Sequence, residues 1–324
     1  MKRMATWLFI LVALAVLVTT LLPLIHSNAW WIRAWDFPRV HIGIVAIVTL
    51  LLGVSVFRPA LALPIVLVLG CAIYQGARIF PYTPLATADI SLASDVPTER
   101  RITIIAANVL MSNDDHDAMR RLIDREDPDI LFLMETDSVW VEALRPLLDR
   151  YDTVIEKPLD NHYGAIFATR LKATDARFVY LSDDRTPTVL AELEGPAGNP
   201  FFVVGLHPRP PVPGEDTGTR DTQLRKAALL GDRKRGPVMA MGDFNDVAWS
   251  RNSERFITEG GYRDPRIGRG ILPSFDANSW WMRFPIDQLY LTEGLDLIAM
   301  DRLEYVGSDH FPMKAIIAVT PKER

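Results

Sequence analysis

The sequence predicts an α/β domain of two stacked sheets flanked by helices, preceded by about three membrane-spanning helices. Three observations lead there. The first 80 residues contain three long uncharged runs. From residue 101 onward, short apolar runs of strand length alternate with helical patterns. Several of those strand-like runs end in a carboxylate, an amide or an imidazole.

Thr6–Ile25 is a stretch of twenty residues without a charge, enough to cross a hydrocarbon core of about 30 Å as a helix. Further uncharged runs cover His41–Phe57 and Pro59–Gly76, with Phe57-Arg58-Pro59 as the break of a helical hairpin. Lipid leaves no partner for free backbone groups, so these runs are expected as helices. A cleaved signal peptide is the alternative for the first run, but that run is long for one and two more spans follow. Trp30, Trp31 and Trp35, with Arg33 and Arg39, read as an interfacial belt between the first two spans. Three spans put the rest of the chain on the side opposite the N-terminus. Lys2, Arg3 and Arg58 then oppose Arg33, Arg39 and Arg78, so the charge count is even; the charges flanking the first span favour an extracytoplasmic C-terminal part. Residues 81–100, with three prolines and many small residues, read as a linker.

Beyond the linker, Ile102–Asn108 and Ile130–Glu135 read as buried strands. Helices are expected at Asp117–Glu126, closed by Asp127-Pro128, and at Ser138–Leu148. Strands follow at Ala165–Thr169, Phe178–Leu181, Thr188–Glu194 and Phe201–Leu206, then a helix at Arg220–Leu230. A strand at Val238–Met241, a helix at Ser253–Glu259, and strands at Gln288–Thr292 and Lys314–Val319 complete the pattern. That makes nine or ten strands with a few helices.

Composition narrows the function. The single cysteine, Cys71, lies in an apolar run, so neither a disulfide scaffold nor a thiolate zinc site is open to this chain. Residues 1–100 carry seven Lys/Arg and four Asp/Glu, whereas residues 101–324 carry 28 and 36, a net of −8. An acidic polar part argues against a general nucleic-acid coat.

The chemistry sits at the strand ends. Asn108 ends the first strand and Glu135 the second; His207-Pro208 follows Leu206; Gly242-Asp243-Phe244-Asn245 follows Met241; Asp287 follows Ile286; Ser308-Asp309-His310 precedes the last strand. Rigid strands would hold these side chains at one rim. Asp, Glu and Asn without Cys suit a hard cation such as Mg²⁺ or Mn²⁺, and imidazoles suit proton transfer or phosphate oxygens. Taken singly, each residue has a structural reading, as a turn former or a helix-terminal charge. Their combined order is far less expected by chance.

That order, with GDFN at 242–245 and SDH at 308–310 as its most specific strings, resembles the endonuclease/exonuclease/phosphatase superfamily, the DNase I-like proteins, over roughly residues 101–320. NVLMSN, DPDILFLMETD, GDFNDVAWS and GSDHFP look closest to a bacterial branch with an N-terminal membrane anchor. The resemblance implies a four-layer sandwich of two mixed sheets with helices outside, and a Mg²⁺-dependent hydrolase of phosphate esters. It implies Glu135 as principal metal ligand with Asn108 beside it, and Asp309 in support. Asp243 would orient or deprotonate the attacking water, and Asn245 would donate to the phosphate. His310, held by Asp287, and His207 would contact the phosphate. Gln288 departs from the family pattern and carries no role; Tyr163 and Asn113 are weaker candidates. A multi-pass protein of the bacterial inner membrane is expected, with residues 1–80 in the bilayer and 101–324 catalytic.

The substrate class stays open at this level: nucleic acid, lipid head group or small phosphate ester, with no obligate protein partner evident. A basic segment, Arg220, Arg225, Lys226, Arg233, Lys234 and Arg235, would suit a nuclease or simply be a solvated helix face. Trp280, Trp281, Met282 and Phe284 would form an apolar lip or a packed loop. A non-catalytic tethered binding protein would show gaps in the ligand set, and the main positions show none.

Overall fold

The computed structural model describes residues 2–55, 61–233 and 236–320. The chain divides into two compact units, one of residues 1–87 with 211–217, the other of 88–210 with the chain from 218 onward.

The first unit is helical. It contains α1 (Lys2–Leu21), the single turn α2 (Trp30–Arg33), α3 (Arg39–Ser55) and α4 (Ala62–Ile79). Two helical stretches, Arg3–Leu24 and Ala62–Tyr82, are each long and apolar enough to cross a membrane; Trp30–Asp36 and Arg39–Ser55 would make a third, bent by 69°. Small residues let the three long helices close up: Ala13, Val16, Ala46, Val68 and Cys71 form their buried seam. The expected break at Phe57-Arg58-Pro59 lies outside the described residues. Arg33 and Arg39, expected as interfacial cations, are instead buried on one carboxylate: Asp36 takes Arg33 at 2.7 Å and Arg39 at 2.6 Å. An interior charge is tolerable only when paired, and Asp36 supplies the pair. Gln75 extends this polar seam, accepting from Arg39 and donating to Thr20 Oγ1 (3.1 Å). Thr217 N donates to Asn28 O (2.8 Å), so residues 211–217 are tied to this unit.

The second unit has twelve strands among the described residues, in two six-stranded sheets. Sheet A runs β11 (Leu295–Arg302), β12 (Met313–Val319), β1 (Ile102–Asn108), β2 (Ile130–Met134), β4 (Ala165–Thr169), β3 (Thr153–Lys157). Sheet B runs β5 (Ala173–Tyr180), β6 (Pro187–Glu194), β7 (Pro200–Leu206), β8 (Val238–Asp243), β10 (Asp287–Thr292), β9 (Tyr262–Arg263). Both sheets are mixed. Each has one parallel pair, β1/β2 and β7/β8, and every other pairing is antiparallel.

A helical crossover joins each parallel pair, as parallel strands require. α5 (His116–Glu126) joins β1 to β2, and α7 (Gly218–Arg233) joins β7 to β8; α6 (Ser138–Leu148) and α8 (Arg251–Gly260) lie beside them in sequence. Local chemistry sets the helix starts. Asp115, Asp137 and Ser250 cap α5, α6 and α8 by accepting from Ala118 N, Trp140 N and Ser253 N. The sheets bury a common core that includes Ile104, Phe132, Phe167, Val203, Met241 and Leu289. Separate clusters bury α5 and α6 on sheet A and α7 and α8 on sheet B. The result is four layers, helix–sheet–sheet–helix.

Phe132 fits closely between the sheets. Its ring sits where Gly205 and Gly242 lack side chains; a Cβ on Gly242 would fall 2.9 Å from the ring and 2.1 Å from Leu206 O. The expected linker is corrected around its middle, residues 89–93. Ile90 is buried with the core, Asp89 Oδ2 accepts from Asp264 N (3.1 Å), and Ala93 N donates to Leu297 O (2.8 Å). A proline- and alanine-rich stretch still packs when a sheet edge offers it hydrogen bonds.

Candidate functional site

Chain direction decides where the polar strand ends meet. In a parallel pair both carboxyl ends lie at the same rim. Asn108 is the last residue of β1, and Glu135 follows β2. His207 follows β7, and Asp243 is the last residue of β8. Two antiparallel neighbours bring their starts to that rim. Asp287 opens β10 directly opposite Asp243, and His310 lies just before β12, which pairs with β1.

The structure brings these residues into contact. Asn108 Nδ2 donates to Glu135 Oε1 (2.8 Å) and to Asp243 Oδ2 (3.2 Å), bridging the sheets. His310 Nδ1 donates to Asp287 Oδ2 (2.7 Å), and its Nε2 lies 3.6 Å from Asp243 Oδ2. His207 Nε2 lies 3.7 Å from that same Asp243 oxygen and 4.0 Å from Glu135 Oε1. Asn245 N donates to Asp243 Oδ1 (2.8 Å), while Asn245 Nδ2 donates to Pro208 O (2.9 Å). Asp309 is half-buried at the same rim. Glu135 and Asn245 both adopt positive φ, 63° and 49°, and so turn sharply out of their strands.

Burial shapes the electrostatics. Burial, with Asp287 directly opposite, raises the Asp243 carboxyl to about 7 against the pull of His310. Burial disfavours the charged form of His310, but Asp287 and Asp243 outweigh it and hold the ring up at about 10. Burial pushes His207 down to about 4, leaving it neutral at pH 7. For Glu135, burial works upward, but His207, Asn108 and His162 together keep it below the usual value. Asp309 is raised by burial and by the Glu135 charge, partly offset by His310.

The residues fit a divalent cation. Glu135 and Asp309 offer hard oxygen donors whose mutual repulsion a dication would relieve; Asn108 here turns its Nδ2 to Glu135, its Oδ1 accepting from Leu110 N (3.1 Å). Asp243, Asp287 and His310 also place one ligand atom each within 4.8 Å of one another, and Asp287 Oδ1 is buried without a hydrogen-bond partner. The short His310–Asp287 bond gives that second trio the form of a proton-handling chain.

Several residues that sequence reasoning ranked low or passed over brace the site. His162, itself at φ 66°, donates from Nδ1 to Glu135 Oε2 (2.7 Å). Ser308 Oγ donates to Asn108 O (2.8 Å) and accepts from His310 N (3.0 Å), fastening the SDH turn to β1. Asn113 Nδ2 donates to Val109 O and Val306 O, a structural staple. The Tyr163 ring leans on His207 at 5.5 Å. Gln288 is structural, donating to Asp246 O and Pro285 O. The basic segment is not a uniform solvated face. Arg220 is buried, donating to Asn245 O (2.8 Å) and pairing with Asp246 (3.1 Å), so it holds the GDFN turn. Arg225 pairs with Glu259 and Lys226 donates to Leu181 O; Lys234 and Arg235 lie outside the described residues.

The Endonuclease/Exonuclease/phosphatase family model matches residues 105–310, which spans every one of these strand ends. The chain belongs to this family. A search of curated proteins returns no match. Among solved structures, zebrafish (D. rerio) TDP2 complexed with single-strand DNA product is similar at TM-score 0.57 and 17% identity, over 68% of this chain and 99% of that one. The human Nocturnin catalytic domain with bound sulfate is similar at TM-score 0.56 and 18% identity, over 69% and 97%. A Bacteroides vulgatus member of the family gives 0.55 and 18%, over 68% and 99%. At these identities the structures establish the DNase I-like fold of the second unit.

Proposed function

We propose that the chain is a membrane-tethered, divalent-metal-dependent phosphoesterase that cleaves a phosphodiester or phosphomonoester by in-line attack of water. The observation that carries this reading is the hydrogen-bonded convergence of Asn108, Glu135, Asp243, Asp287 and His310 at one rim of two sheets.

Glu135, Asn108 and Asp309 would hold the ion, with His162 orienting Glu135. When bound, Mg²⁺ or Mn²⁺ supplies Lewis-acid stabilisation of charge building on the phosphate. Asp243, raised to about 7, is suited to take the proton of the attacking water, since a base works best near the operating pH. Asn245 N fixes its carboxylate, leaving Oδ2 toward the histidines. His310 stays protonated at neutral pH and faces the phosphate oxygens as a fixed cation, its ring aimed by Asp287. Neutral His207 and the Asn245 amide would donate hydrogen bonds to the same group.

Residues 1–80 would form the tether in the bacterial inner membrane, with the catalytic unit from 101 onward extracytoplasmic. A topology reporter fused at Arg324 tests the side. The DNA in the zebrafish TDP2 structure supports a nucleic-acid substrate. The inward turn of Arg220 and the exposed Trp280–Trp281 pair support a lipid head group instead.

The deciding assay presents the full chain, with Mg²⁺ or Mn²⁺, to plasmid DNA, an abasic-site duplex, RNA, head-group diesters and inositol phosphates. Asp243→Asn serves as control. Cleavage of one class by the wild type alone supports the reading and names the substrate. Equal turnover by wild type and variant would sink it.

A further inference from the structure

The loop 276–283 lies between Phe275 and Phe284, which bridge each other, and Phe275 also bridges His310. The loop is well tied. Asp276 Oδ1 accepts from Asn278 N (2.8 Å), and Ser279 Oγ accepts from Met282 N (2.9 Å). Ala277 N donates to Asp309 O (2.7 Å), and Tyr305 Oη donates to Asn278 Oδ1 (3.1 Å). At its tip Trp280 and Trp281 stand 86% and 56% exposed.

On this ordered loop Trp280 is almost wholly exposed and Trp281 more than half so, and burial of such large apolar faces is favourable. Arg283, two residues beyond Trp281, and Arg302 both stack on the Phe311 ring at 5.0 and 4.3 Å. Neither has a carboxylate partner among the described residues; their hydrogen bonds go to backbone carbonyls. Exposed indoles with an arginine two residues away match the head-group layer of a membrane.

Chain length selects the same occupant. The last long apolar stretch ends at Tyr82, and Ile90 is already in the core of the α/β unit. The seven residues 83–89 reach about 25 Å when fully extended. An acidic catalytic unit on so short a tether meets lipid far more often than nucleic acid.

We propose that the Trp280–Trp281 loop inserts into the head-group layer of the bilayer that holds the N-terminal helices, seating the mouth of the site on an anionic lipid surface. The inference rests on the membrane-tether reading above and needs no turnover.

The test uses the full chain reconstituted in phosphatidylcholine–phosphatidylglycerol vesicles, with and without lipids brominated near the head group. Emission of W280F/W281F subtracted from that of the wild type isolates the two indoles. The expected result is a blue-shifted difference spectrum that brominated lipid quenches and aqueous iodide does not. A difference spectrum that iodide quenches and brominated lipid leaves unchanged overturns the proposal. So does one that moves only when a single-stranded oligonucleotide is added, which would assign the indoles to base stacking. The variant's remaining tryptophans, Trp7, Trp30, Trp31 and Trp35 among them, report the tether separately. If brominated lipid quenches none of them, the tether reading falls as well.

Discussion

Sheet A and sheet B are built alike around the site and supply different chemistry. Each contributes one parallel pair joined by a helix, β1–α5–β2 and β7–α7–β8, and each ends that pair in two polar side chains. Sheet A delivers the Asn108 amide and the Glu135 carboxylate, beside the half-buried Asp309. Sheet B delivers His207 and Asp243, both deeply buried and shifted by burial, with the buried Asp287 opposite. One topology thus sets Glu135 on one sheet against the buried Asp243–Asp287 pair of the other, with His310 reaching that pair from just before β12 of sheet A. Asn108 touches both, and Phe132 on sheet A fills the space left by two glycines of sheet B. The site exists only while the two sheets pack in register.

The largest effects should come from the proton-handling groups, Asp243 at the end of β8 in sheet B and His310 just before β12 in sheet A. Asp243→Asn and His310→Ala are each expected to lower turnover by roughly 10²–10⁴-fold, with circular dichroism unchanged; near-wild-type rates in both would refute the assigned roles. Next is the joint between the sheets. Phe132→Ala should cost about 3–5 kcal/mol, measured by denaturant unfolding of the full chain in detergent, and Gly242→Ala should destabilise too because its φ of 128° and Leu206 O leave no room for a Cβ.

The sheet A set is sharpened by His162→Ala. Losing the bond that orients Glu135 should weaken Mg²⁺ dependence about 10-fold, read as a shifted activation midpoint with the rate at saturating ion nearly kept. Chelation should abolish activity and added Mg²⁺ or Mn²⁺ restore it.

The pH profile tests the division of labour. Asp243 must be ionised to accept a proton, so the rate should rise with pH through about 7. It should fall only near 10, where His310 loses its charge. Because the folded pKa of His310 is raised, its stabilising contribution is full below about 6.5 and is lost as pH rises through about 10. The smallest effect is on the outer face of sheet A. Glu126 is held below its usual value chiefly by the hydrogen bond from Lys314. Its contribution is present above about pH 4.5 and fades as pH falls, so Glu126→Gln should cost at most about 1 kcal/mol.

The strands that pattern reading missed, or cut by more than two residues, were β3, β9, β11 and the first half of β5, and these are the four edges of the two sheets. An edge strand is covered on fewer sides, so charged residues such as Asp296, Asp301 and Arg302 interrupt its apolar pattern. Central strands, buried on both faces, announced themselves: Ile102–Asn108 and Ala165–Thr169 fall where their apolar runs do. The same division holds at the rim. Side chains that end a buried run, Asn108 and Asp243, are legible because the run points to them. His162, Ser308 and Arg220 sit in loops or a helix, and only their contacts reveal them.

By itself, then, the sequence determined the family, the succession of central strands and the identity of the polar strand ends, because those depend on burial period and local chain chemistry. Tertiary structure alone decided that Asp287 faces Asp243, that Asn108 bridges Glu135 and Asp243, and that His162 holds Glu135. Each of these depends on bringing together side chains from separate turns or strands, and one chain's periodicity carries no record of what lies across a packed sheet.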